Sequence, residues 1–341
     1  MEFNVHQTAT KVRLLEFAKK IKELQEIIGF KVSARGWCYQ LETERLINKD
    51  QFDKVELWIN KCRKKGILPI NFTAEEEGRK FSGVEEPTER SPISHMKDWL
   101  QAAIECEKYY TPDWWDGEEY YIQMLVEKID LKTLFKPVCE KYHIPIATSK
   151  GWSSMLQRAI YARRFKEAED NGLQPVLLYC GDHDPDGLRI SDFIKKNLSD
   201  LKDVEWEDGE EGYDPDGLKI VRFGLDSDFI EEHGITWIDN LITGSKKNLA
   251  SKSHHNHKMP YVQDYIKRFG VKKCEANAIV PMPKIARELV EGSITNFLGH
   301  NATGRFKKKR DKVKKAMDDF RDKTGLRESL DKAMELINKE E

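Results

Sequence analysis

The run Val176-Leu-Leu-Tyr179 limits the possible folds of this chain more than any other stretch. It is short, apolar and bounded by Pro175 and Gly181, as a strand buried on both faces of a parallel sheet requires. Asp182-His-Asp184-Pro-Asp-Gly187 follows at once, and helical spacing resumes from Gly187. Strand, acidic loop and helix make the unit of an open α/β sheet, whose ligands sit in the crevice beyond the C-terminal ends of the strands. Asp182 and Asp184 are two residues apart, so in an extended chain both carboxylates leave on one face and can converge on a divalent cation. Taken alone, the same letters also suit a plain turn of good turn formers.

The upstream sequence repeats the unit. Tyr120–Glu127 is strand-like and ends in an acid, followed by Lys128 and a helical pattern over Asp130–Tyr142. Ile144–Thr148 reads as another strand, with a helix through Trp152–Ala168, and Leu218–Phe223 as a further strand. Strands alternating with helices indicate a parallel sheet flanked by helices, hence an α/β fold. Glu127 at one strand end and Asp182 with Asp184 at another give three oxygen ligands in one crevice, a donor set suited to Mg²⁺.

From Glu118 to about Leu225 this pattern resembles a Toprim domain, the metal-binding fold shared by topoisomerases, primases and some nucleases. The resemblance assigns the acid role to Glu127 and the metal pair to Asp182 and Asp184. D-x-D-P-x-G is similar to the form in the topoisomerase VI A subunit and the related meiotic break-forming transesterase.

The first 72 residues read as helices over Val12–Ile28, Ala34–Leu46 and Asp50–Lys65, then a short strand at Ile67–Phe72. That order fits a winged-helix (CAP-like) DNA-binding domain, and equally a three-helix packing module. The second helix carries Arg35-Gly-Trp-Cys-Tyr39, with arginine and tyrosine at i and i+4 on one face, able to address one phosphate. On residue pattern alone Tyr39 would more often be a core tyrosine. Together with the acids in the same order, the motif resembles the catalytic R-x-x-[aromatic]-Y of topoisomerase VI A subunits. Cys38 stands where that family has Tyr or Phe. The likeness is greatest to the compact Mini-A type. It implies Tyr39 as nucleophile, Arg35 as stabiliser of the tyrosinate or phosphate, and DNA contacts from Lys61, Arg63, Lys64 and Lys65.

The remaining segments complete the expected organisation. Thr73–Ile93 is polar and reads as a linker, joined to a helix over Ser94–Tyr109, so that 73–117 connects the two domains. Tyr109 and Tyr110 lack an arginine one turn earlier. The Toprim-like part is expected over 118–300, where Cys274–Phe297 resembles the family's closing acidic strand, proline turn and helix. Leu198–Asp216 is an acidic loop, and its Asp214-Pro-Asp-Gly217 follows no buried strand. His254-His-Asn-His257 lacks zinc-ligand spacing and reads as exposed or as a DNA-backbone contact. Residues 301–341 form a basic helical tail, in which Arg305–Lys315 has eight basic residues and one acid; it suits either a DNA-phosphate arm or a solvated helix.

Composition narrows the class. A net charge of −2 over 341 residues excludes a polycation, so nucleic acid must be met by local basic patches. The six cysteines are scattered without a C-x-x-C pair, as reduced thiols are. No apolar run reaches the length of a membrane span and no signal-peptide core is present, so a cytoplasmic, nucleoid-associated location is expected.

The resemblance therefore implies a Mg²⁺-dependent, type IIB topoisomerase-like transesterase that cuts double-stranded DNA as a homodimer, with Tyr39 of one protomer reaching the metal of the other. Only 34 residues precede Arg35, so the extension that contacts an ATPase B subunit is expected to be short or absent, which counts against that partner. Two alternatives stay open: a Toprim nuclease using metal-activated water, and a DNA-binding or DNA-bridging protein of the same fold without turnover.

Overall fold

A computed structural model describes residues 5, 8–74, 90–149, 155–204, 209, 212–242 and 248–340. Most of the expected linker (75–89), the start of the helix expected from Trp152 (151–154) and part of the acidic loop (205–208, 210 and 211) lie outside the described residues. The chain divides into two compact units, Met1–Glu75 with Glu119–Phe297, and Glu76–Glu118 with Leu298–Glu341.

In the first unit three helices open the chain: α1 (Lys11–Ile28), α2 (Ala34–Thr43) and α3 (Phe52–Lys64). Thr10 caps α1 and Gly29 ends it in the left-handed conformation, φ 75°. The buried stripe of α1 is Leu14, Phe17, Ala18, Ile21, Leu24 and Ile28, whereas Val12, Leu15 and Ile27 face solvent. Phe17 meets Trp58 of α3 edge-on at 5.6 Å, and Trp37, Cys38 and Leu41 of α2 complete a helical core.

The strand expected at Ile67–Phe72 does not form. The Ile67 and Leu68 amides both donate to the Cys62 carbonyl, at 2.9 and 3.2 Å, and the Phe72 amide to Pro69 O at 3.1 Å. Turn bonds thus take up those donors and Pro69 has none to give. Among the described residues of this segment, β-type pairing is limited to one bridge, Ser33 with Ala74. The three helices are observed; among the described residues a wing is not.

The sheet is wholly parallel, in the order β2–β1–β3–β4, with β1 Tyr120–Val126, β2 Ile146–Thr148, β3 Gln174–Cys180 and β4 Lys219–Arg222. Every residue of Tyr121–Val126 and Pro175–Cys180 is buried, which explains why neither strand alternates in polarity. Helices α5 (Ile129–Lys141), α6 (Met155–Asp170) and α7 (Ile190–Ser199) follow β1, β2 and β3. From β1 the chain moves outward to β2, and from β3 to β4 on the other side. The reversal lies between β1 and β3, whose C-terminal ends pair Val126 with Cys180. That is the topological switch point of an open α/β sheet.

Two glycines show how tightly this crevice is assembled. Gly36 of α2 lies against the start of α5: an added Cβ would stand 2.0 Å from Asp130 Oδ2 and 2.5 Å from Val32 Cγ1. Asp130 accepts from the Ser33 amide at 3.3 Å and from Asn277 Nδ2 at 3.1 Å, so it cannot easily withdraw. Gly36→Ala is expected to destabilise the fold by about 1–3 kcal/mol, read as a lower urea midpoint. At Gly187 a Cβ would lie 2.1 Å from the Asp182 carbonyl oxygen, while the Gly187 amide donates to Asp184 Oδ1 at 2.6 Å. The Asp-Pro-Asp-Gly turn is therefore wound directly onto Asp182, two residues beyond the end of β3.

The rest of this unit comprises α8 (Ser227–Glu232), α9 (Pro260–Phe269) and α10 (Pro283–Leu298), of which all but the last residue of α10 belong to it. Where an acidic strand was expected at Cys274, a single antiparallel bridge joins Cys274 to His183, and a 3₁₀ turn, Ala276–Ile279, follows. His254 is buried and stacks on His255 at 4.6 Å, which corrects the expected exposure of that histidine.

The second unit is helical: α4 (Pro92–Ile104), α11 (Ala302–Thr324) and α12 (Leu326–Glu340). Arg321, 4% exposed, pairs with Glu107 and Asp318, each at 2.8 Å. Of the basic run, Arg305 grips Glu118 through Nε (3.0 Å) and Nη2 (2.5 Å), and Lys309 caps the carbonyls of Asp113, Trp114 and Asp116. Part of the basic charge thus serves the unit's own structure. Among the described residues no helix is long and apolar enough to cross a membrane.

Candidate functional site

Glu127 follows β1 and Asp182 follows β3, so the two adjacent central strands deliver their acids to one crevice. Glu127 Oε2 accepts from the Asp182 amide at 2.9 Å, and the Glu127 amide donates to the Cys180 carbonyl at 3.0 Å. The two antiparallel bonds of His183 with Cys274, 2.8 and 3.0 Å, bring a third acid beside them, Glu275. The Ala276 amide then donates to Asp182 Oδ1 at 2.7 Å.

A lysine ammonium stands at the centre of these groups. Lys128 Nζ lies 2.5 Å from Glu127 Oε1, 2.8 Å from Asp182 Oδ2 and 3.7 Å from Glu275 Oε2. Glu275 Oε1 is held separately, by Lys273 at 2.5 Å and Lys49 at 2.8 Å, and Lys273 also donates to the Ile242 carbonyl at 2.7 Å. Glu275 and Lys273 are each 2% exposed.

Burial and neighbouring charge divide the acids electrostatically. Burial pushes the Asp182 carboxyl well above the usual range and the Glu275 charge adds to this, with Lys128 opposing. For Glu275 burial also acts upward, but Lys128, Lys273 and Lys49 outweigh it and hold the group well below the ordinary value. Glu127 is likewise lowered: burial raises it, and the Lys128 charge and the Asp182 amide prevail. Asp184 is pushed up to about 6, by burial first, against the bond from the Gly187 amide.

Tyr39 reaches this cluster within its own chain. Its ring packs edge-on against Phe52 at 5.2 Å, with Lys128 Nζ 5.2 Å and Lys49 Nζ 5.9 Å from the ring centroid. The phenol is raised above its ordinary value, by burial first, with Lys128 opposing. Gln40, the next residue of α2, fixes the helix against the cluster by donating to Asn277 O at 2.8 Å.

The predicted residues are thus brought together in part. Glu127, Asp182 and Tyr39 converge. Asp184 is on the same loop and coupled to Glu127 and Glu275 by charge, but its Oδ1 is engaged by the Gly187 amide. Arg35 bonds Glu56 at 3.2 Å, lies 3.6 Å from Asp53 and sits over the Phe52 ring at 4.8 Å. The cations over the Tyr39 ring are instead Lys128 and Lys49. Lys61 and Lys64 are exposed at the end of α3 and Lys65 caps it, whereas Arg63 donates to Ile70 O at 2.7 Å. Sequence reasoning missed Lys128, Lys49, Lys273 and Glu275 as members of the site. Lys128 directly follows a strand-ending acid, and Glu275 lies in the segment flagged as an acidic strand; Lys49 and Lys273 carry no comparable signal.

Glu42, one turn beyond Tyr39, is 6% exposed, and its Oε2 has no hydrogen-bond partner. It lines a cavity of about 610 Å³ with Arg45, Lys49, Trp237 and Asn240. Burial pushes its carboxyl up to about 7, Glu275 adds to this, and Lys273, Lys49 and Lys128 oppose. An unfolded glutamate titrates near pH ~4.3, so between about pH 4.3 and 7 the folded state keeps a proton that the unfolded state releases. Stability from this group is present at acid pH and falls as pH rises through that window, by roughly 3–4 kcal/mol. Urea midpoints of Glu42→Gln and the parent, measured at pH 5 and pH 8, are expected to show a shallower loss in the variant.

The donor chemistry of the cluster fits a hard divalent cation. It consists of carboxylate oxygens only, and Glu275 Oε2 is buried without a hydrogen-bond partner. As the side chains stand, no group of three or more His, Cys, Asp or Glu among the described residues is set to hold a metal ion, and Lys128 serves the three carboxylates instead. No protein-family model, curated protein or solved structure matches this chain.

Proposed function

We propose that this chain is a Mg²⁺-dependent DNA-cleaving transesterase, with a Toprim-like metal centre and a tyrosine nucleophile carried on the second of the three N-terminal helices. One observation carries the reading: within the same chain the Tyr39 ring lies 5.2 Å from the ammonium that bonds the strand-end acids Glu127 and Asp182.

In the proposed step the Tyr39 oxygen attacks a backbone phosphorus, the phenol proton is lost, and the bond to the 3′ oxygen breaks, leaving a 5′ phosphotyrosyl link and a protonated 3′ hydroxyl. The link conserves a phosphodiester, so the break can be resealed without ATP. Lys128 and Lys49 are placed to favour the tyrosinate. Glu127, Asp182 and Glu275, with Asp184 beside them, would hold Mg²⁺. When bound, the ion would offset charge on the phosphate and leaving oxygen. Exposed Lys61, Lys64 and Lys65 suit the DNA backbone, and two copies acting on opposite strands would make a double-strand break.

A hydrolytic nuclease is the second reading, favoured by one observation: the guanidinium expected to activate Tyr39 is bonded to Glu56. The test is supercoiled DNA incubated with protein and Mg²⁺, then denatured and run with and without protease. Protein-linked 5′ ends on the denatured DNA support transesterification. Cut DNA with free ends means hydrolysis, and DNA bound but uncut means a binding protein.

A further inference from the structure

We propose that Lys128 is a resident cation of the carboxylate cluster, occupying the position a divalent ion takes and setting how tightly that ion binds. The inference rests on the metal-dependent reading above and concerns what governs loading of the same site.

Three oxygens from three separate segments face one ammonium: Glu127 after β1, Asp182 after β3 and Glu275 after the Cys274 bridge, at 2.5, 2.8 and 3.7 Å. A centre enclosed by carboxylates from several segments is how proteins hold Mg²⁺ or Mn²⁺. The independent sign of a missing partner is Glu275 Oε2, which is buried and accepts no hydrogen bond. Lys49 and Lys273 both bond the other oxygen of that carboxylate, so Oε2 faces Lys128 alone and at more than hydrogen-bonding distance.

A fourth carboxylate, Asp184 on the same loop as Asp182, interacts with Glu127 and Glu275 and adds to the negative charge of the cluster. Lys128 also lies directly before α5, outside the strands, on a long side chain with the ring of Tyr39 on one side. The ammonium therefore permits the acids to fold together before metal arrives, and it competes with the metal afterwards.

The test is Mn²⁺ binding to the full chain, measured from the electron paramagnetic resonance signal of free Mn²⁺, with thermal midpoints recorded with and without the ion. Lys128→Met is expected to bind Mn²⁺ roughly 10- to 100-fold more tightly than the parent, because a competing unit charge within bonding distance is gone. Its midpoint is expected to fall without Mn²⁺ and to rise more than the parent's when Mn²⁺ is added. Lys128→Arg is expected to keep the parent's affinity. If Lys128→Met does not fold, the same comparison is made between Glu275→Gln and Lys128→Gln/Glu275→Gln, with the double variant binding more tightly. Equal or weaker binding without Lys128, together with binding that is lost in Asp182→Asn, overturns the proposal and leaves the metal site standing. Absence of Mn²⁺ binding in both parent and Lys128 variants overturns the proposal and the metal-dependent reading together.

Discussion

Tyr39→Phe is expected to fold like the parent and to lose covalent attachment to DNA by on the order of 10⁴-fold or more, the scale on which removing a nucleophile acts. Stability should hold within about 0.5 kcal/mol, since the substitution keeps the aromatic ring that packs on Phe52 and carries the two lysine contacts. That separation matters because a tyrosine with a packing role gives the opposite result, a small change in chemistry for any change in stability. The phenol of Tyr39 is raised above its ordinary value by burial, so it is neutral at pH 7. Adduct formation should therefore climb with pH through the neutral and mildly alkaline range, up to about tenfold per unit while deprotonation limits it. Mapping the adduct by proteolysis checks the assignment. Attachment at Tyr109 or Tyr110, which are 71% and 48% exposed in the other compact unit, would remove Tyr39 from the mechanism.

The fold was most legible where the sequence repeats a local pattern. Val176–Tyr179 and Tyr121–Val126 are continuous apolar runs because both faces are covered, and their terminal acids fall at the switch point because the two strands are adjacent and in register. The helix expected from Ala34 does start there, with Ser33 as its cap: the hydroxyl accepts from the Gly36 amide at 3.0 Å. The strand at Ile67–Phe72 could not be read correctly, because β-propensity there lacked a partner strand and the Cys62 carbonyl took both amides. The acids at the strand ends carried a signal of position. Their counter-charges did not: Lys49 comes from a turn between α2 and α3, and Glu275 and Lys273 flank the Cys274 bridge, brought in by contacts about ninety residues from Asp182 in sequence. Arg35 and Tyr39 share a helix face as their spacing requires, yet helical spacing cannot say which neighbour wins the guanidinium. Glu56 and Phe52, from α3, do.

Glu275→Met is expected to be the most damaging single change to the fold, costing about 3–5 kcal/mol, because it removes one partner of a buried charge network and keeps the others. Lys273 is 2% exposed and would retain only the Ile242 carbonyl, and Lys49 would lose a 2.8 Å pair. Methionine matches the side chain in size, so the loss reports charge rather than a cavity. The pH dependence fixes the sign. Folding holds the Glu275 carboxyl well below its unfolded value near ~4.3, so its contribution is fully present above that pH and is lost as pH falls through the folded value. The difference in urea midpoint between parent and variant should therefore be largest near neutrality and shrink toward pH 3, the reverse of the trend expected for Glu42. Lys273→Met in the Glu275→Met background should recover part of the stability, since an apolar pair in a buried position avoids the desolvation that a lone ammonium suffers. A double variant no more stable than Glu275→Met would show that the two groups are not coupled as their 2.5 Å separation requires.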